Sequence, residues 1–399
     1  MRKNQDVLIT GLGVISAAGR DLDETLNSFA YEKRNAGRVS LFETVLNYPV
    51  FEVREIPEEF TLEGQRTLSL ALCAVYEALG EANLDAGLTK YRVGVCMGTT
   101  VASQLNDLEF YKSYRRDGSA PMLAVDRYLK GNLAQCIFRK IGAQGPSLTV
   151  VNACSSGTDA IGAALSWLKN GLCDIAIAGG ADELSRIPYC GFGSLGIVSP
   201  DLCAPFDRDR KGLNLGEGAG VLVMETADSA RQRGKTSDLY LGAYGSGCDA
   251  YHLTSPSPDG IGLKAAIHKA LTDADVAPQQ VSFVNAHGTA TIENDIVEGK
   301  VLKKIFGADL NMLSTKGYTG HALGAAGGME AVFTALCLRK GWIPASAGFK
   351  NMDEAVSIAP VKNRTAVNGS YAVSTSLAFG GNNAALVFKR EEQIGSFSN

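Results

Sequence analysis

Three short stretches carry side chains suited to covalent and acid–base chemistry. The first is Val151-Asn152-Ala153-Cys154-Ser155-Ser156-Gly157. Leu148, Thr149, Val150 and Val151 before it read as a buried strand, and Ile161, Ala164, Leu165 and Leu168 after it recur at helical spacing. Cys154 then sits at a strand-to-helix turn, where unpaired N–H groups and the positive end of the helix dipole favour an anion. This predicts a thiol that ionises more readily than a free cysteine, a nucleophile made without a metal. A cysteine by itself reads as a small buried residue; the other two stretches change that reading.

The chain has four histidines. Two lie in glycine-flanked turns beside hydroxyl residues: Asn285-Ala286-His287-Gly288-Thr289-Ala290-Thr291 and Lys316-Gly317-Tyr318-Thr319-Gly320-His321. Each follows a strand candidate, the place where α/β proteins put active-site groups. Lys316 and Glu330 form a candidate supporting pair, because a charge beside an imidazole sets its protonation state. The run Leu377-Ala378-Phe379-Gly380-Gly381-Asn382-Asn383 ends a strand in glycine-rich backbone whose N–H groups could face a developing oxyanion.

The elements that must position these groups alternate between strand and helix. Forty-five glycines punctuate the chain, many directly after short β-branched runs. Strand candidates are 7–10, 93–97, 148–151, 175–178 and 220–224, then 239–244, 283–286, 312–314, 371–374 and 384–388, with helical patterns between most of them. The pattern predicts an α/β fold duplicated around a join near Arg231 to Ser237, with halves 1–234 and 235–399. The third strand of each half leads into a candidate catalytic turn, at Cys154 and at Gly317 to His321. The stretch from Ala102 to Lys130 is less regular and could cap a pocket or meet a partner.

Composition bounds the function. Hydrophobic content of 45% and charged content of 20% describe a soluble globular chain. With 38 basic and 42 acidic side chains, no global field draws nucleic acid or an anionic membrane. The nine cysteines are scattered and never spaced C-x-x-C, which argues against a disulfide framework or a zinc site and for a reducing compartment. No apolar run approaches membrane-spanning length, and the first is too short for a signal-peptide core. These observations predict a cytoplasmic protein without a metal.

In their order, Asn152-Ala153-Cys154-Ser155-Ser156-Gly157, Asn285-Ala286-His287-Gly288-Thr289, Ser314-Thr315-Lys316 through Gly320-His321, and Gly324-Ala325-Ala326-Gly327 resemble the successive motifs of β-ketoacyl-acyl carrier protein synthases. These are the elongating condensing enzymes of the thiolase superfamily. The resemblance extends to Thr10-Gly11-Leu12-Gly13, Pro205-Phe206-Asp207, Gly216-Glu217-Gly218-Ala219-Gly220, Asp249-Ala250-Tyr251-His252 and Phe379-Gly380-Gly381, and so spans nearly the whole chain.

The resemblance implies a duplicated thiolase-like fold with two five-stranded mixed sheets layered with helices. It implies that Cys154 takes an acyl chain from an acyl carrier protein as a thioester, and that malonyl on a second carrier protein loses carbon dioxide and attacks it. His287 and His321 match the pair that stabilises the enolate, Lys316 and Glu330 the supporting ion pair, and the N–H groups of Cys154 and Phe379 the oxyanion hole. Thr289 and Thr291 match the hydroxyls that hold the phosphopantetheine arm, and Phe379 a gate. No cofactor is expected, since that arm arrives on the carrier.

The implied partners are the carrier protein and a second subunit, giving a homodimer or a heterodimer with a chain-length-factor-like chain. Arg127, Lys130, Arg139, Lys140, Arg208 and Arg210 are candidates for receiving the acidic carrier. The chain departs from the family pattern at Gly212-Leu213-Asn214-Leu215, where Gly-Phe-Val is usual, at Ile292, where proline is common, and at Asn382, where threonine is common. A subunit that only shapes a partner's pocket would lack the nucleophile. A degradative thiolase would carry a second reactive cysteine late in the chain, where only Cys337 stands, within a helical apolar pattern.

Overall fold

The computed structural model describes residues 7–84, 88–102, 108–123, 125–126 and 132–391. Its strands are β1 (Val7–Ser16), β2 (Val93–Gly98), β3 (Ser147–Val150), β4 (Ile175–Asp182), β5 (Gly218–Thr226), β6 (Leu239–Cys248), β7 (Val281–Asn285), β8 (Met312–Leu313), β9 (Trp342–Ile343), β10 (Thr365–Ala366), β11 (Tyr371–Ala378) and β12 (Asn382–Arg390). All ten strand candidates are present, most of them longer than their apolar runs, because the glycines at their ends stay inside the ladders.

β9 and β10 pair only with each other; the rest form one sheet in the order β3-β2-β4-β5-β1-β6-β12-β11-β7-β8. Outward from the β1–β6 join, each half reads first, fifth, fourth, second and third strand. The senses match as well: β2 is parallel to β3 and β4, as β7 is to β8 and β11, while β5 and β12 run antiparallel to their neighbours. The architecture is therefore duplicated, as its element order implied. The expected two five-stranded sheets are joined edge to edge, however, through Val7↔Leu241 and Leu8↔Tyr240.

Two helices lie between the half-sheets. The nucleophile helix, Ser156–Lys169, packs on β2 and β4 and also touches β6 and β12. Its companion, Ala326–Lys340, packs on β4, β5 and β11. Helix Arg66–Ala82 covers the outer side of β1 and β5, and helix Ile261–Ala274 that of β6 and β12. The result is five alternating layers. The companion helix is buried on every side through Leu338, so it shows no apolar stripe.

The two inner helices meet through backbone. A Cβ on Gly157 would stand 2.6 Å from the amide nitrogen of Gly328 and 2.9 Å from the carbonyl oxygen of Gly324. One on Gly180 of β4 would meet that same Gly324 oxygen at 2.5 Å. Only glycine permits this approach, and it brings the turns that precede both helices to one place.

Two readings change. β3 is not buried: Leu148 is 43% exposed and Val151 67%, because β3 is the outer edge of the sheet with β2 as its one neighbour. Within the irregular stretch, helix Leu108–Asp117 leaves Tyr111 and Tyr114 exposed; Arg127 and Lys130 lie outside the described residues. Among the described residues no helix is long and apolar enough to cross a membrane, and all nine cysteines are free.

Gly157→Ala should cost about 2 kcal/mol, the scale of overpacking a closed contact. Gly191→Ala, where a Cβ meets nothing within 4 Å, should be neutral or slightly stabilising. Denaturant midpoints of the two variants check this, and equal midpoints would mean that the helices do not depend on the missing side chain for their approach.

Candidate active site

Cys154 stands between β3 and the nucleophile helix, in a turn that the sequence must force. Ala153 takes a left-handed φ of 49°, and Asn152 and Cys154 bridge across it. Ser156 holds the bend by accepting from the Asn152 N–H (2.7 Å) and donating to the Ala153 carbonyl (2.6 Å). Asp159, one helical turn on, accepts from the Asn152 amide (2.6 Å) and the Ser155 hydroxyl (2.8 Å). Short polar residues crowd this motif because the strained turn has backbone groups to satisfy.

The thiol is buried, and burial reverses the expectation drawn from the helix terminus. It pushes Cys154 up to about 11, against the opposing pull of the Lys316 ammonium and the backbone N–H of Phe379. Enclosure penalises the thiolate more than these groups favour it. At rest the group is a thiol.

His287 follows β7 and His321 follows the short turn after β8; their rings lie 5.2 Å apart at 86°. Both are held through backbone. The N–H groups of His287 and Gly288 each donate 2.8 Å bonds to Glu298. The His321 N–H donates to the Asn214 carbonyl (2.8 Å), and the His321 carbonyl accepts from Gly216 (3.1 Å). The Gly216 to Gly220 motif thus positions a histidine distant from it in sequence.

Lys316 is the buried charge at the centre. Its ammonium donates to Glu330, to the His287 carbonyl (2.6 Å) and to His287 Nδ1 (3.1 Å). The last bond leaves His287 with its proton on Nε2. Burial first, and then the Lys316 charge, hold both imidazoles well below the usual histidine range. Burial raises Glu330 to about 7 against the pull of Lys316. Near neutral pH the site therefore offers two uncharged imidazoles and a protonated thiol.

Cys154, His287 and His321 line one cavity of about 190 Å³ together with Thr289, Thr291 and Phe379. The two threonine hydroxyls lie 2.8 Å apart. The Phe379 ring stacks on Phe192 at 5.6 Å and 15°, and both rings form part of the wall. The volume is below the roughly 300–1,000 Å³ of a site for a drug-sized ligand.

A family model for the β-ketoacyl synthase N-terminal domain matches residues 52–230, and one for the C-terminal domain matches residues 240–350. The 3-oxoacyl-[acyl-carrier-protein] synthase 2 of Staphylococcus aureus (strain COL) is 33% identical over 98% of this chain and 100% of its own. The chain belongs to the β-ketoacyl synthase family. The 3-oxoacyl-[acyl-carrier-protein] synthase 2 of Synechocystis sp. (strain ATCC 27184 / PCC 6803 / Kazusa) is 32% identical over 96% of this chain and 98% of its own. Among solved structures, the ishigamide ketosynthase/chain length factor matches with a TM-score of 0.91 at 29% identity, over 97% of this chain and 100% of that one. The ketosynthase ApeO in complex with its chain length factor ApeC, from Xenorhabdus doucetiae, matches with a TM-score of 0.83 at 28% identity, over 98% and 99%.

In this ketoacyl synthase the structure brings together Cys154, His287, His321, Lys316, Glu330, Thr289, Thr291 and Phe379. Cys337 is a buried side chain of the companion helix, away from the cavity. Arg210 cannot receive a carrier: it is fully buried, paired with Asp353 at 2.6 Å and Asp295 at 3.5 Å. Arg139, Lys140 and Arg208 are exposed. Sequence reasoning missed Glu298. Its signal was a carboxylate on the buried face of helix Ile292–Phe306, beside Val297, Val301 and Leu302. It also gave Asn214 no role, although that amide holds Cys203 N (2.7 Å) and the Ser199 carbonyl (3.0 Å) under the His321 turn.

Lys316→Met removes the charge that favours the thiolate, so the pH profile of Cys154 alkylation by iodoacetamide should move up by about one unit, slowing the reaction about tenfold near neutrality. An unchanged profile would mean that Lys316 does not act on the sulfur.

Proposed function

We propose that this protein is a 3-oxoacyl-acyl carrier protein synthase that condenses an acyl chain held on Cys154 with malonyl on an acyl carrier protein. The observation that carries this reading is the joint lining of one cavity by Cys154 and two neutral, backbone-clamped imidazoles.

The steps follow from the geometry. Cys154 sulfur attacks the acyl thioester carbonyl, the pantetheine thiolate leaves, and the thiol proton departs with it. The N–H of Phe379, which favours the thiolate form of Cys154, and that of Cys154 receive the oxygen of the tetrahedral intermediate. Thr289 and Thr291 hold the pantetheine arm of the incoming malonyl carrier. Loss of carbon dioxide leaves its electron pair on the α-carbon, and the thioester oxygen takes up the charge. Imidazoles kept neutral by burial and by the Lys316 charge donate N–H bonds to that enolate without binding a proton that would quench it. The carbanion attacks the acyl-Cys154 carbonyl, and as the 3-oxoacyl product forms the sulfur leaves as a thiolate that takes up a proton from solvent to restore the resting thiol.

The acyl carrier protein is the partner, with Arg139, Lys140 and Arg208 as exposed basic groups for its acidic surface. The bare apolar edge of β3 supports a dimer through the first-half sheet. A second reading, the active half of a ketosynthase/chain length factor heterodimer, is favoured by the likeness to the ishigamide and ApeO structures. Nine free thiols support a reducing, cytoplasmic setting.

Intact-mass analysis of carrier proteins mixed with the enzyme tests the proposal. The wild type should give a 3-oxoacyl carrier, Cys154→Ala no acyl-enzyme, and His287→Ala or His321→Ala an acyl-enzyme with condensation slowed by about 10²–10³, the scale of a lost oxyanion donor. Acylation without condensation in the wild type would favour the heterodimer; no acylation with any chain offered would sink both readings.

A further inference from the structure

The two N–H donors that face the reacting carbonyl belong to different halves of the chain. That of Cys154 sits on a strained turn after a short, exposed edge strand; that of Phe379 sits on the three-residue turn between β11 and β12. Asn382 closes that turn, its backbone paired to Ala378 on one side and Cys248 on the other. Its side-chain amide crosses to the first half and donates to Asn152 Oδ1 at 2.7 Å. Asn152 in turn donates to Asp159, whose other oxygen accepts from the Tyr244 hydroxyl of β6 at 2.8 Å. The nucleophile turn is thereby pinned at both ends to strands of the second half. A second cross-link, Thr158 Oγ1 to Ser376 Oγ at 2.8 Å, lies further along the nucleophile helix and away from the turn itself.

We propose that Asn382 is a positioning residue that, through Asn152, fixes the spacing between the Cys154 sulfur and the Phe379 N–H. This deepens the condensing reading and rests on it for its consequence in acyl transfer. The backbone of Asn382 is immobilised by two neighbouring strands, so its amide is a rigid strut. The part it steadies is the Cys154 turn, where Ala153 has a left-handed φ and would otherwise relax. On its far side the Phe379 turn is tied to the 249–253 loop, by Gly380 N to Leu253 O (2.8 Å) and Asp249 N to Gly381 O (2.8 Å). The phenyl ring can then rotate off Phe192 while the backbone of its turn stays tied.

The test reads the thiol directly and needs no acyl donor, so it is independent of the condensing reading. Asn382→Leu keeps the branched outline and removes the donor; Asn382→Thr supplies a shorter one. In the purified full chain, Asn382→Leu should slow iodoacetamide alkylation of Cys154 about fivefold near neutral pH and move its pH profile upward, the size of one lost hydrogen bond in a positioning network. Its melting temperature should stay near that of the wild type, and Asn382→Thr should recover most of the rate. Asn152→Ala should produce the same shift, and the double variant no more than either alone. With acyl carrier as donor, acyl-enzyme formation seen by intact mass should fall in parallel. A superimposable alkylation profile for Asn382→Leu, no recovery with Asn382→Thr, or independent effects of the two asparagines would each overturn the proposal. If Asn382→Leu fails to fold, the comparison of Asn382→Thr with Asn152→Ala decides it.

Discussion

Everything at this site depends on how closely two helices approach. Without side chains at Gly157 and Gly328, the nucleophile helix and its companion pack backbone against backbone, with Gly180 of β4 against the same Gly324 oxygen. The turn before each helix carries one reacting group, Cys154 in the first and His321 in the second. A methyl group at the contact, its carbon 2.6 Å from the Gly328 nitrogen, would force them apart. The glycines that look like punctuation in the sequence are therefore the dimension of the active site. Their cost in chain entropy is met by the surrounding layers, which bury both helices between two half-sheets.

Within that frame, one ammonium organises the charge. Lys316 is shut away with Glu330 and His287, and its field reaches His321 and Cys154 as well. Burying such a charge is tolerable only because its donors meet Glu330, the His287 carbonyl and His287 Nδ1. The same field disfavours imidazolium and favours thiolate, so a single group prepares the histidines as neutral donors while opposing part of the desolvation of the sulfur. Acid–base roles are thus separated by position around one charge.

The duplicated architecture explains why the chemistry needs both halves. Each half places a turn after its third strand, and the strand order runs identically outward from the β1–β6 join. The nucleophile comes from one half and the imidazoles from the other. The segment Gly216 to Gly220 ties the halves together through the His321 carbonyl, while Asp249 to Leu253 braces the Phe379 turn within the second half. The Asn382 side chain also crosses, to Asn152, whereas those of Glu298 and Asn214 brace turns within their own halves.

Much of this was legible in the sequence. Cysteine and histidine in glycine-flanked turns after strand candidates announced the chemistry, since nucleophile and imidazole chemistry is carried by residue type and local turn. Ten apolar runs announced the duplicated α/β fold, since strand burial leaves a period in the chain. What the sequence alone did not determine was set by the sum of surroundings. The helix terminus beside Cys154 predicted an easily ionised thiol, and only the enclosure of the cavity decided otherwise. β3 reads as buried by composition, and only its place at the end of the sheet exposes it. Arg210 reads as a surface cation, and only the fold surrounds it with Asp295 and Asp353. Local sequence determines which groups are present and how the chain turns at them; desolvation and pairing depend on every atom within several ångströms, and those atoms come from both halves of the chain.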